Sequence, residues 1–169
     1  MATVLTITYS ANTAIALDPS SLGDSATFVA GVESDQVDNT TNQYVDCLVD
    51  IKPITAGAGT NTIGQEIRVY VWGSDVSLAT TAIGTLDGTA SAETITVETL
   101  AALRMASAAA AIAVTANLVY YLQPFSVASF FGGIMPKFWG LFFVHSLSGD
   151  IAASMSGKFQ YTGIKYTST

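Results

Sequence analysis

The chain has 169 residues, half of them hydrophobic and only 11% charged, with a formal net charge of −7 and a pI near 4.3. That length suits one well-buried domain and is too short for two, so residues 1–169 are expected to form a single domain with an extended N-terminal segment. Six Lys and Arg residues scattered through an acidic chain exclude the clustered positive charge that phosphate binding needs, so no nucleic-acid partner is expected.

The charged fraction is far below the roughly 25% of ordinary soluble domains. The surface must then be built largely from Thr, Ser, Asn, Gly and Ala, which suits a protein packed against neighbours. Cys47 is the sole cysteine, so neither an intrachain disulfide nor a thiolate metal cluster can form; it reads as a small core residue. Met1 to Tyr9 lacks the basic start and long apolar stretch of a secretory signal, which predicts a product made and kept in the cytoplasm.

In chain order, Thr3 to Tyr9 is β-branched and alternating, hence a strand, and the polar run ending in Asp18-Pro19-Ser20-Ser21 is a loop. Ala26 to Val32 makes a second short strand, and Glu33 to Gln43 is rich in turn formers. Tyr44 to Lys52 alternates with Cys47, Val49 and Ile51 on one side. Glu66 to Trp72 alternates with Ile67, Val69 and Val71 inward. A Gly-rich connection between the two predicts an antiparallel pair. Ser74 to Glu93 is loop-like with a tight turn at Asp87-Gly88. The spacing of Leu100, Leu103 and Ala106 predicts one short helix around Val97–Ala111. Ile112 to Ser126, Trp139 to Leu147 and Lys158 to Tyr166 are strands, and the Phe142-Phe143-Val144 run, apolar on both faces, implies cover from two sides. Seven or eight short strands with almost no helix describe an all-β fold, an antiparallel β-sandwich of jelly-roll-like kind.

The densest apolar stretch runs from Pro124 to Val144. With the Ala-rich segment before it, the uncharged window 105–136 exceeds the roughly 20 residues that span a bilayer. Asn117 and Gln123 interrupt it, Pro124, Gly132 and Gly133 break it, and no basic cluster flanks it. A small membrane protein is therefore a second alternative only, and no membrane partner is expected. The Gly- and Pro-broken loop Phe130 to Phe138 is too apolar for water, and Phe130, Phe131, Ile134 and Met135 are its candidate subunit-contact residues.

Residues for chemistry are few. His145 is the only histidine and lies in an apolar strand, where a hydrogen-bonded structural role is expected; Ser146, Ser148 and Asp150 alternate in face with it, and no G-x-S-x-G elbow occurs. Glu33, Asp35 and Asp38 form the one acidic cluster but lack the EF-hand spacing. Gly57 to Gln65 has Gln65 where a phosphate-binding loop needs Lys, and a strand follows it. Asn39-Thr40-Thr41 fits a glycosylation sequon, which stays unmodified in the cytoplasm. No catalytic residue, metal or cofactor is expected.

Pro124-Phe125-Ser126-Val127-Ala128, Phe131-Gly132-Gly133-Ile134-Met135-Pro136-Lys137, Trp139-Gly140-Leu141-Phe142 and Tyr161-Thr162-Gly163 resemble a family of small virion structural proteins of tailed bacteriophages. Glu33-Ser34, Asp38-Asn39-Thr40-Thr41-Asn42 and Tyr70-Val71-Trp72-Gly73 extend the resemblance to the N-terminal half. The turn after His145, Ser-Leu-Ser-Gly-Asp, departs from the Asn- and Thr-containing turn of relatives. The resemblance implies a capsid decoration or cement protein on the outer capsid surface of the virion, a homotrimer that binds the major capsid protein and copies of itself. The alternative is a head-fibre, tail-fibre or baseplate component, with Tyr70 and Trp72 stacking on host glycans.

Overall fold

The computed structural model describes residues 4–57, 59–111 and 118–168. The strands are β1 (Leu5–Tyr9), β2 (Thr13–Ala14), β3 (Ala30–Glu33), β4 (Val37–Asp38), β5 (Asp46–Ile51), β6 (Ile54–Ala56), β7 (Glu66–Ser74), β8 (Ser91–Thr94), β9 (Arg104–Ala110), β10 (Leu118–Tyr120), β11 (Phe125–Ser126), β12 (Phe138–His145) and β13 (Phe159–Ser168). Among the described residues, one α-helix, α1 (Val97–Ala102), and a short 3-10 turn at Ala128–Phe131 complete the elements. The chain is an all-β antiparallel sandwich. One sheet has the order β1-β13-β5-β11 with β2 beside β13, and the other has the order β8-β3-β12-β7-β9 with β4 beside β12. A separate two-stranded piece joins β10 to β6.

The sheets meet through the alternating apolar residues of their strands. Cys47, Val49 and Ile51 of β5 and Phe159 and Tyr161 of β13 share one buried cluster with Ile67, Val69 and Val71 of β7 and Trp139, Leu141 and Phe143 of β12. Two edge-to-face ring pairs cross the interior, Trp139 with Tyr161 at 5.4 Å and Phe143 with Phe159 at 5.8 Å, a geometry that satisfies the ring quadrupoles. The expected pairing of β5 with β7 is not formed. The strands sit in different sheets, because each needs to bury one apolar face, and facing each other across the core does so more completely than lying side by side.

The opposite face of β12 and β7 is covered as well. Tyr70, Trp72, Phe142 and Val144 form a second cluster with Leu78, Leu86, Ile95 and Leu103, so the segment between β7 and β9 is a lid over the outer side of the sheet. This explains the two-sided apolar run of β12, whose residues Trp139 to His145 are all buried. Trp72 and Tyr70, at 2% and 6% exposure, lie beneath the lid and offer no face to a sugar.

The helix is shorter than its apolar spacing predicts. Thr96 caps α1 by accepting the Thr99 N–H at 3.1 Å, but the chain turns extended at Leu103. The Ala-rich continuation becomes β9 on the edge of β7. Ala favours helix locally, yet a helix there would leave the β7 edge unpaired, and a ladder of backbone hydrogen bonds outweighs a propensity difference of under ~1 kcal/mol per residue. Of the strand expected over 112–126, residues 112–117 lie outside the described residues, and the remainder forms β10 and β11.

Among the described residues no helix is long and apolar enough to cross a membrane. The described parts of the uncharged 105–136 window are divided among β9, β10, β11 and the 3-10 turn.

Gly140 of β12 stands directly opposite Trp72 of β7. A Cβ there would collide with the indole ring and crowd the Ser34 hydroxyl, so the missing side chain is what lets Trp72 lie flat across the central strand. Gly140→Ala is expected to lower stability by roughly 1–3 kcal/mol, read by chemical denaturation with the β-sheet signal unchanged; a variant as stable as the parent would show that the ring is free to move aside.

Candidate assembly surface

The residues that could carry chemistry are held by the fold itself. His145 is fully buried; its Nδ1 accepts the Leu147 N–H at 3.2 Å, so its Nε2 carries the proton and donates to the Leu22 carbonyl at 2.9 Å. Burial pushes the imidazole pKa below its ordinary value, against the hydrogen bond to Leu22 and the charges of Asp24 and Asp150. Ser148 is used elsewhere, donating its N–H to the Asn61 side-chain oxygen at 3.0 Å and its hydroxyl to the Thr60 carbonyl at 2.9 Å. Cys47 is buried in the core, and desolvation pushes its thiol up to about 12.

The acidic cluster is split among separate turns. Glu33 accepts the N–H groups of Asp87 and Gly88, each at 3.0 Å, Asp35 accepts that of Ala90 at 2.6 Å, and Asp38 accepts the N–H and hydroxyl of Thr40. Among the described residues, no group of three or more His, Cys, Asp and Glu side chains is placed to hold a metal ion. Asn39 is buried with its amide bridging both backbone groups of Tyr44, at 2.8 and 3.0 Å, so the sequon side chain is committed to closing a loop. The Gly-rich segment before β7 is tied to the Ser148 turn, with Gln65 Nε2 donating to the Ser148 hydroxyl at 2.9 Å.

The apolar loop after β11 divides unevenly. Phe130 meets Phe125 edge-to-face at 5.8 Å, Phe131 and the buried Pro136 close over Gly73, and Phe130, Phe131 and Met135 are half-buried against the main core. Ile134 is different, at 75% exposure. It lies between two φ-positive glycines and Met135, and Met135 lines shallow clefts on both sides of it, one of about 320 Å³ with Gly73, Asp75 and Phe131 and one of about 310 Å³ with Asn39, Tyr44 and Lys137.

A second apolar surface was not singled out by sequence reasoning. Strand β1 pairs with the far half of β13, Leu5 opposite Ser168, Ile7 opposite Tyr166 and Tyr9 opposite Ile164. Directly opposed residues share a face, so Leu5, Ile7, Tyr9, Ile164 and Tyr166 form one side of a ribbon and Thr6, Thr8, Lys165 and Thr167 the other. Strand β5 stops at Asp46, opposite Ile164, so β1 and residues 165–168 extend beyond the body of the sheet. Leu5, Ile7, Tyr9 and Tyr166 are 68%, 52%, 65% and 57% exposed. The signal is present as alternation in both terminal segments, which marks strands but does not say whether a covering sheet exists.

No family model, curated protein or solved structure matches the chain.

Glu33 provides a pH test of how the loops are held. Burial raises its pKa from 4.5 to about 7, partly offset by the hydrogen bonds from Gly88 and Asp87. The folded chain therefore binds more protons than the unfolded chain between these values, and this group's contribution to stability is complete below about 4.5 and lost as pH rises through about 7. His145, shifted downward, works in the opposite sense below its ordinary value. Glu33→Gln should thus compare more favourably with the parent at about pH 8 than at about pH 4, on either side of the window, in thermal melts; an offset independent of pH would show that Glu33 does not titrate in the folded chain.

Proposed function

We propose that this protein is a virion structural subunit, most specifically a capsid decoration or cement protein that binds the major capsid protein and copies of itself on the outer face of a phage head. The observation that carries the reading is where polarity and apolarity are spent. The buried polar groups Glu33, Ser34, Asn39 and His145 are hydrogen-bonded into the scaffold, while large apolar side chains stand exposed on the terminal ribbon and at Ile134. A chain with few charges and such exposed surface gains by association, at roughly 25 cal/mol per Å² of apolar area removed from water. Repetition over symmetry-related copies multiplies a weak contact.

Within this reading, the loop carrying Phe130, Phe131, Ile134 and Met135 is the contact to the capsid lattice. Ile134 supplies the projecting side chain, and the half-buried Phe130, Phe131 and Met135 fix the backbone beneath it. The acidic character of the chain suits an outer face, away from the packaged genome. A fibre or baseplate position is less favoured, because Tyr70 and Trp72, the two aromatics that reading assigns to sugar stacking, are covered.

Quantitative mass spectrometry of purified particles is expected to find this chain at hundreds of copies, about the scale of a repeated capsid lattice; a handful of copies would move it to a fibre or tail position, and absence would overturn the reading. Ile134→Asp is expected to reduce incorporation about tenfold or more while leaving the melting temperature of the free protein unchanged, since the side chain touches little of its own chain.

A further inference from the structure

The ribbon formed by β1 and the end of β13 has a composition unlike the rest of the molecule. The chain carries thirteen Asp and Glu residues, yet none falls in residues 4–12 or 160–168, and Lys165, on the polar face, is the ribbon's only charged side chain. Two copies of a molecule with net charge −7 repel over most of their surfaces. They can approach through this face, where the ribbon itself carries no carboxylate and the neighbouring Asp46, opposite Ile164, is tied to the N–H groups of Cys47 and Ala128.

The ribbon also lacks what a free ribbon needs. A two-stranded piece is marginal in water without a third strand or a packed face, and β1 is a sheet edge that carries no charge, proline or bulge to discourage pairing. The side-chain hydrogen bonds that brace it, Thr8 to the Lys165 carbonyl and Thr167 to the Thr6 carbonyl, all come from the threonine side. Among the described residues, the apolar side is left more than half exposed at Leu5, Ile7, Tyr9 and Tyr166. The exposed parts of these four side chains add to on the order of 500 Å², so two ribbons laid face to face remove ~1,000 Å² from water, the lower bound for a specific protein contact.

We infer that the apolar face of the terminal ribbon, Leu5, Ile7, Tyr9, Ile164 and Tyr166, is a self-association surface whose occupant is the same face of another copy of this chain. The inference deepens the assembly reading by assigning its two contacts to different surfaces, the ribbon to copies of the chain and the Ile134 loop to the capsid. Because the ribbon consists of β1 and the end of β13, association also holds these two strands together and covers their apolar side, which faces away from the main core.

The test is the oligomeric state of the full chain by sedimentation and light scattering across a concentration series. The parent is expected to self-associate at micromolar concentration. The double variant Ile7→Thr with Tyr166→Thr, which keeps residues favoured in strands, should raise the dissociation constant about tenfold or more. Thr6→Asp, at an exposed position on the other face of the same strand, should leave association unchanged, and equal melting temperatures for the double variant and Thr6→Asp in dilute solution check that the ribbon still folds. A parent that stays monomeric at high concentration, or an oligomer that survives the double variant or is lost equally with Thr6→Asp, overturns the inference. Those outcomes leave the copy number in particles untouched, whereas self-association through the ribbon by a chain absent from particles would sink the virion reading instead.

Discussion

Burial of β12 from both sides is the constraint on which the rest of the structure depends. Its odd-numbered residues Trp139, Leu141 and Phe143 face the partner sheet, and Phe142 and Val144 face the lid built from Leu78, Leu86, Ile95 and Leu103. A strand apolar on both faces is insoluble until both are covered, so the sandwich and the lid must form together. The long segment between β7 and β9 contains little regular structure because its task is to place four aliphatic side chains, and α1 is only the part of it that delivers Leu100 and Leu103.

Strand β12 also organises the polar interior. Ser34 donates its hydroxyl to the Asp35 carbonyl and accepts the Leu141 N–H, and its own N–H reaches the Leu141 carbonyl. Glu33, one residue earlier, holds the Asp87-Gly88 turn of the lid. His145 closes the other end of the strand onto Leu22 and Leu147. Each of these three groups thus ties a loop to β12 or to its neighbour β3, which is why burial costs that would otherwise be several kcal/mol are tolerated. The indole N–H groups of Trp72 and Trp139 are the exception among the described residues, buried without a protein acceptor, and the area their rings bury outweighs that loss.

The two exposed apolar surfaces follow from the same economy. With the core and lid consuming the alternating strands, the apolar area left over includes the part of β13 that outruns β5, the strand β1 that pairs with it, and the tip of the loop that folds back over Gly73. Both lie near one end of the sandwich. Asp46 accepts the Ala128 N–H at the base of the loop at 2.9 Å and stands opposite Ile164 where the ribbon departs, and Tyr44 packs on Gly163 while lining the cleft beside Met135. A single rigid junction therefore sets the relation between the two surfaces.

Alternation in Tyr44 to Lys52, Glu66 to Trp72 and Lys158 to Tyr166, the doubly apolar run of β12 and the turn-rich stretches between them were enough for the sequence by itself to determine an all-β sandwich with almost no helix, because a side-chain period of two and two-sided burial are local properties of the chain. Partnering is not local. That β5 and β7 face each other across the core instead of pairing, that an alanine run leaves α1 to complete the β7 edge, and that Trp72 and Tyr70 lie under a lid were decided only by the tertiary structure, since each depends on which other surface is present to be covered. The same holds for the apolar loop and the ribbon. Composition shows that Phe130, Phe131, Ile134 and Met135, and equally Leu5, Ile7 and Tyr166, carry apolar area, and only packing distinguishes the rings that the chain buries for itself from the side chains it leaves exposed.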